Sequence, residues 1–188
     1  MAESNLWAWI DLETTGLNER AAGATILEIA MVFTDHAFFT RSRDHIVLRY
    51  DGNGFLDDFA RQTHTDNGLL AECARSVWEV RDAEVILLHA LAQHAEYGTA
   101  PMCGASIHFD RRWLRAFMPR FHDYFYYGNL DVSSIQKLVE AVRPGLEKWP
   151  DPEGHRALPD VTDEIRQAEF YADMFRQSIG PRFWHQVG

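Results

Sequence analysis

At 188 residues, with 46% hydrophobic and 24% charged side chains, the chain can bury a sizeable core and has an ordinary globular composition, which excludes disordered and fibrous classes. A formal net charge of -10 excludes tight, nonspecific binding of long duplex nucleic acid, which needs many Lys and Arg against the phosphates. No apolar run reaches the length of a membrane span. Cys73 and Cys103 lie far apart with no Cys-x-x-Cys pair, so neither a disulfide framework nor a zinc pattern is present. Residues 1–5 are polar, and no basic region leads into an apolar stretch, so no signal peptide is expected. The expectation is one soluble, cytoplasmic domain over residues 1–188.

The first strand begins at Leu6 and ends in Asp11-Leu12-Glu13, followed by a Thr14-Thr15-Gly16 breaker. Side chains alternate across a strand, so Asp11 and Glu13 point to the same face. Two such carboxylates are either solvated groups that end the strand or a pair held together by a divalent cation with oxygen ligands. A polar loop at residues 18–24 precedes a strongly apolar strand at 25–34, where Glu28 is out of place for a carboxylate. Residues 38–50 read as a third strand, completing an antiparallel meander. Two short helices at 55–61 and 66–78 follow, separated by Thr63-His64-Thr65. Residues 79–96 form the clearest helix, with Val80, Ala83, Leu87, Ala90 and Leu91 at helical spacing.

A fourth strand at 100–107 follows a helix, which implies a parallel crossover, and leads to Asp110 and a helix at 111–117. Aromatic residues crowd 121–127, and a short fifth strand at 130–133 ends where Ser133 or Ser134 caps a helix running to Val142. Residues 144–154 are the loosest part. The last helix spans 159–178, with Val161, Ile165, Ala168, Ala172 and Phe175 as its apolar stripe. This order predicts an α/β fold, a mixed five-stranded sheet with helices on its faces.

Carboxylates thus recur at element ends: Asp11 with Glu13, Asp110, and Asp160, with His155 five residues before the last of them. Ligands of open α/β sheets collect at such ends. Taken singly, Asp110 and Asp160 read as helix-start residues and His155 as a loop histidine. Together they form a set that can hold two Mg²⁺ ions ~4 Å apart, the separation suited to in-line attack on a phosphodiester. A neutral His in reach can take the proton of the attacking water.

With Asp11-x-Glu13-Thr14-x-Gly16, an Asp after the fourth strand and His155-x-Ala157-x-x-Asp160, the chain resembles the DEDDh exonucleases, which have an RNase H-like (DnaQ-like) fold. Thr63-His64-Thr65, Cys103-Gly104-Ala105-Ser106-Ile107 with Asp110-Arg111-Arg112, Met118-Pro119 and Leu130-Asp131-Val132-Ser133 extend the resemblance to the oligoribonuclease family over nearly the whole chain. The resemblance implies two Mg²⁺ or Mn²⁺ ions on Asp11, Glu13, Asp110 and Asp160, with His155 as general base. It implies that Leu17, Phe59 (a Trp in the family) and His64 hold the bases and that Ser106 and Ser133 approach the terminal phosphate. The implied activity is 3′-to-5′ degradation of RNAs of two to a few nucleotides to 5′-mononucleotides by a homodimer, with residues 121–127 as an interface segment. The alternatives are a DEDDh exonuclease acting on single-stranded DNA, and a nucleotide-binding relative with weakened catalysis.

The chain departs from that family in three places. Gly128 stands where the family carries an Arg that the partner subunit lends to the substrate phosphate, which implies a relaxed preference for dinucleotides. Three residues lengthen the segment between Asp160 and Ile165-Arg166, so that aligning on the latter makes Glu164 the fourth ligand and puts Pro159 at the place of the His. A proline cannot be a base, which favours His155 with Asp160. Finally, His108 precedes Asp110 by two residues and on an extended segment shares its face.

Overall fold

The computed structural model describes residues 5–150 and 154–178. Its centre is β1 (Leu6–Thr14), flanked antiparallel by β2 (Ile26–Asp35) and parallel by β4 (Met102–Gly104). With β3 (Thr40–Val47) and β5 (Asn129–Asp131) on the edges, the sheet order is β3-β2-β1-β4-β5. β2 is buried over all but its last residue, as its unbroken apolar sequence requires of a strand covered on both faces.

Alternation along β1 and β2 divides the core. Ile10, Leu12, Ile29, Met31 and Phe33 pack with Leu87 and Leu91 of α3 (Val80–His94), Trp113 of α4 (His108–Phe117) and Phe121 of α5 (Pro119–Tyr124). Trp9, Ala30 and Val32 pack on the other side with Val139 of α6 (Val132–Val142) and Val161, Ile165 and Ala168 of α7 (Ala157–Ser178). Since Trp9 faces α7, so do Asp11 and Glu13, and the apolar face of β1 turns acidic as the strand approaches its end.

The mixed five-stranded sheet agrees with the sequence reading, while several boundaries differ. Thr63-His64-Thr65 does not separate two helices but lies inside α1 (Asp58–Asp66), where the Asp57 carboxylate accepts the Ala60 N–H at 2.7 Å and the Thr65 hydroxyl folds back onto the Arg61 carbonyl. Only Leu69–Cys73 (α2) continues as helix beyond it. The fourth strand shrinks to three residues because the chain turns at Ser106, with φ 51°, and helix α4 starts at His108.

That early start removes His108 from the Asp110 face, since residues two apart on a helix point about 200° apart. His108 is exposed, with Nδ1 4.0 Å from Asp131. The cap of α6 is Asp131 rather than Ser133 or Ser134: its Oδ1 accepts the N–H groups of both serines at 3.0 and 3.3 Å. In the aromatic segment expected at an interface, Phe121 and Phe125 are consumed by the core and Tyr127 is the exposed one. α7 begins at Ala157, which places Pro159 in the first helical turn, where its missing N–H costs nothing. Cys73 and Cys103 are free and buried. Among the described residues, no helix is long and apolar enough to cross a membrane.

Candidate active site

A cleft of about 280 Å³ opens where the end of β1 meets α6 and α7, lined by Asp11, Glu13, Ala105, Ser133, Gln136, Trp149, His155, Asp160 and Glu164 among others. Donor atoms of Glu13, His155 and Asp160 lie within 4.8 Å of one another. Asp110, in the first turn of α4, reaches beneath β1, and its Oδ1 accepts the Leu12 N–H at 3.1 Å. The structure therefore brings Asp11, Glu13, Asp110, Asp160 and His155 together from three separate stretches of chain, with Asp11 and Glu13 arriving as one pair and His155 and Asp160 as another.

Electrostatically, the carboxylates of this cluster are pushed towards protonation. Burial, with Asp160 and Glu28 nearby, pushes the Glu13 carboxyl up to about 8. Burial likewise raises Asp110 to about 8 and Asp160 to about 6. Asp11 lies well above the ordinary carboxylate range, through burial and then the charges of Glu164, Asp110, Glu13 and Asp160. Its Oδ2 is buried with no hydrogen-bond partner among the described residues. An orphaned carboxylate oxygen beside other carboxylates suits a hard divalent ion, whose charge would reverse these shifts.

The out-of-place carboxylate of the second strand finds its reason here. Glu28 stands directly opposite Glu13 in the β1–β2 register, a like-charge pair that destabilises a sheet when left alone. Arg156 resolves it. Its guanidinium donates to both oxygens of Glu28 at 2.8–3.1 Å and to both oxygens of Glu72 at 2.8 and 3.1 Å, while the Ala157 N–H at the start of α7 donates to Glu28 at 2.9 Å. His45 lies 2.7 Å from the same carboxylate. Against the burial that alone would raise it, these bonds hold the Glu28 carboxyl at about 2.

Since Arg156 follows His155 directly, this clamp also fixes the histidine. His155 sits at φ 47°, a left-handed conformation that costs a non-glycine residue about 1–3 kcal/mol and persists only when its surroundings hold it. Asn67 supplies the remaining hold, donating to the carbonyls of Gly154 and His155 at 2.8 and 2.7 Å. Arg156→Met leaves Glu28 buried without its cation, and thermal unfolding is expected to show a loss of about 3 kcal/mol, the low end for a broken buried pair because Arg156 retains some solvent contact. Arg156→Lys, with one point charge for two carboxylates, should recover part of that loss.

The expected substrate contacts fall into two groups. Leu17 and Phe59 are exposed apolar side chains, 75% and 67% accessible, and the Phe59 ring meets the His155 ring edge-on with centroids 5.7 Å apart. Leu17 is presented by Gly16, where an added Cβ would stand 2.8 Å from the Phe55 ring at φ 151°, and its carbonyl is held by Arg112 at 3.0 Å. The Ser106 and Ser133 hydroxyls meet at 3.2 Å, gathered by Asp131, which also accepts the Ser106 N–H. His64, in contrast, is buried at 3% exposure behind Glu13, its Nε2 3.3 Å from the Thr14 carbonyl and 3.6 Å from the Glu13 carboxylate. It faces a candidate metal ligand instead of the open cleft.

Cleft residues not singled out by sequence include the Gln136–Gln167 pair, bonded at 3.0 Å between α6 and α7. Another is Trp149, whose indole N–H donates to Asp163 at 2.9 Å while its ring lies against Phe170. Only the isolated Trp in a Pro-rich stretch was a signal for the latter.

The exonuclease family profile of the RNase T type matches residues 8–167. An oligoribonuclease of Chromobacterium violaceum is 33% identical over 177 residues, covering 92% of this chain and 97% of that protein. Those of Nitrosomonas europaea and Aromatoleum aromaticum are each 35% identical, over 90% and 94% of this chain and 94% and 98% of theirs. Among solved structures, E. coli exonuclease I in a zinc-bound complex with single-stranded DNA superposes with a TM-score of 0.71 at 17% identity, over 92% of this chain. The apo form of exonuclease I gives 0.64 at 15% identity over the full chain. The chain spans less than half the length of these two neighbours, 41% and 48%, and their likeness is one of fold, the RNase H-like fold of DnaQ-type exonucleases. On sequence coverage and shared architecture, the chain belongs to the oligoribonuclease family of RNase T-type exonucleases.

Proposed function

We propose that this protein is a cytoplasmic 3′-to-5′ exoribonuclease that degrades single-stranded RNA of two to a few nucleotides to 5′-mononucleotides, using two divalent ions, Mg²⁺ or Mn²⁺. The observation that carries the reading is the convergence of Glu13, His155 and Asp160 within 4.8 Å in the cleft that also holds the Asp11 oxygen left without a partner among the described residues. Asp11, Glu13, Asp110 and Asp160 would hold the ions, which when bound lower the pKa of water and neutralise charge on phosphoryl oxygens. His155, exposed and fixed at its backbone by Asn67 and Arg156, takes the proton of the attacking water and passes it to solvent. His64 orients the Glu13 carboxylate from behind.

The Ser106 and Ser133 hydroxyls donate to the terminal phosphate, and Leu17 and Phe59 hold the base by apolar contact and stacking that every base satisfies. A cleft this small suits a terminal nucleotide better than a long strand. With end-labelled diribonucleotide, longer RNA and single-stranded DNA in Mg²⁺ or Mn²⁺, the diribonucleotide should be cut to mononucleotides and Asp11→Ala should be inactive. Equal cutting of DNA and RNA would sink the ribonuclease reading, and a complete lack of metal-dependent cutting would leave nucleotide binding in its place.

The same reading takes the protein to be a homodimer, for which the exposed Tyr127 beside Gly128 offers a partner-facing segment and light scattering the measurement. The three atoms nearest a Cβ at Gly128 all belong to the Tyr126 ring, the first 2.6 Å away, a side chain that can turn aside. Gly128→Arg is accordingly expected to raise the ratio of kcat/KM for dinucleotide over hexanucleotide by roughly tenfold, the worth of one charge-assisted phosphate contact. An unchanged ratio would show that the arginine place in this chain does not reach substrate.

A further inference from the structure

Besides the four proposed ligands, two more carboxylates line the cleft: Asp163, which accepts the Trp149 indole N–H, and Glu164. Glu164 lies four residues after Asp160, one turn further along α7, between Val161 and Ile165, which pack on the sheet. Its carboxylate accepts the Ala105 N–H, and it occupies space left by Gly104, whose added Cβ would stand 3.4 Å from Glu164 Oε2 and 2.8 Å from the Ile10 carbonyl. That Oε2 is buried with no hydrogen-bond partner among the described residues, as is Asp11 Oδ2. Both residues line the same cleft, and among the charges acting on Asp11 that of Glu164 is the largest.

Two buried carboxylates, each with an oxygen left unpaired, are satisfied either by one shared proton or by a cation that both oxygens ligate. The convergence of Glu13, His155 and Asp160 within 4.8 Å in the same cleft favours the cation over the proton. We infer that Glu164 is a fifth carboxylate ligand of the divalent-ion site, placed on the Asp11 side of the cleft while Asp160 joins Glu13 and His155 on the other. The inference rests on the proposed reading of the cleft as a two-metal site. It also explains how one helix can serve two ions: Asp160 and Glu164, a turn apart on the same face, reach positions about 5–6 Å apart.

The test is calorimetric titration of the metal-stripped protein with MnCl₂, beside thermal melts with and without Mn²⁺. Glu164→Gln keeps the shape and removes the charge. It is expected to weaken binding of one of two Mn²⁺ ions at least tenfold and to shrink the Mn²⁺-induced rise in Tm, while its metal-free form melts no lower than the wild type. Glu164→Asp, with the charge on a shorter arm, should bind more tightly than Glu164→Gln, which keeps the comparison open should the Gln variant fold poorly. Wild-type affinity and stoichiometry in Glu164→Gln, with binding lost in Asp11→Asn, would overturn the role of Glu164 and leave the metal site standing. Unchanged binding in both variants would overturn the metal site as well.

Discussion

His155→Ala is expected to lower kcat on a diribonucleotide by about 10²–10⁴-fold, the range for loss of a positioned general base, with a much smaller change in KM. The side chain is exposed and lies outside the packed cores, so its removal leaves folding intact and thermal melts should be nearly superimposable. What the structure invests is in the backbone around it. A left-handed φ, two hydrogen bonds from Asn67 and the Arg156 clamp hold the imidazole beside Glu13 and Asp160. A small proton acceptor added in solution should therefore find the vacated place: imidazole is expected to restore part of the His155→Ala rate and none of the Asp11→Ala rate. A His155→Ala enzyme retaining more than a tenth of wild-type kcat would remove His155 from the proton-transfer step. Phe59→Ala, which deletes the ring standing edge-on to His155, should raise KM more than it lowers kcat.

How legible was this in the sequence? Period-2 alternation along an apolar strand placed Asp11 and Glu13 on one face, and their positions on β1 agree because Trp9, two residues earlier, packs against α7. The convergence of Asp110, His155 and Asp160 was legible as a pattern of element ends and through the family resemblance, for nothing local in residues 105–110 or 154–160 specifies what lies across from them. Glu28 was visible as an anomaly without a partner. Its partner is Arg156, which lies 128 residues away in sequence, and only the register that sets Glu28 against Glu13 shows why a cation is needed there.

The errors share a cause. The turn at Ser106 and the cap at Asp131 are decided by one hydrogen-bonded knot, in which the Asp131 carboxylate accepts from Ser106, Ser133 and Ser134. This knot shortens β4, starts α4 early and moves His108 off the Asp110 face. The helix boundary at Thr63-His64-Thr65 differs by a similar route: the Asp57 cap carries α1 past His64, whose ring turns inward behind Glu13.

In the metal-free protein, Tm should fall as pH rises from 5 to 8, and divalent ions should reverse the fall. Glu13 titrates near 4.5 when unfolded and at about 8 when folded. Between those values the unfolded chain has released a proton that the folded chain keeps, so stability declines with rising pH across that window and levels off outside it. Asp110 acts in the same direction from 3.8 to about 8, and Asp160 from 3.8 to about 6. Glu28 has the opposite sign, held at about 2 instead of 4.5, and the stability it contributes is lost only as pH falls below that window.

At ~1.4 kcal/mol per pKa unit the three raised carboxylates, charging independently, would consume most of the stability of a typical domain; coupled titration keeps the realised loss on the order of 4 kcal/mol. For a chain of this length that corresponds to a Tm drop of about 10 °C. Mn²⁺ binds the folded site and requires its ligands deprotonated, so the ion should raise Tm far more at pH 8 than at pH 5, where protons compete for the same oxygens. A metal-free Tm that is flat from pH 5 to 8, or an equal Mn²⁺ effect at both ends, would mean that these carboxylates are not strained towards protonation and that the cluster needs no cation to be stable.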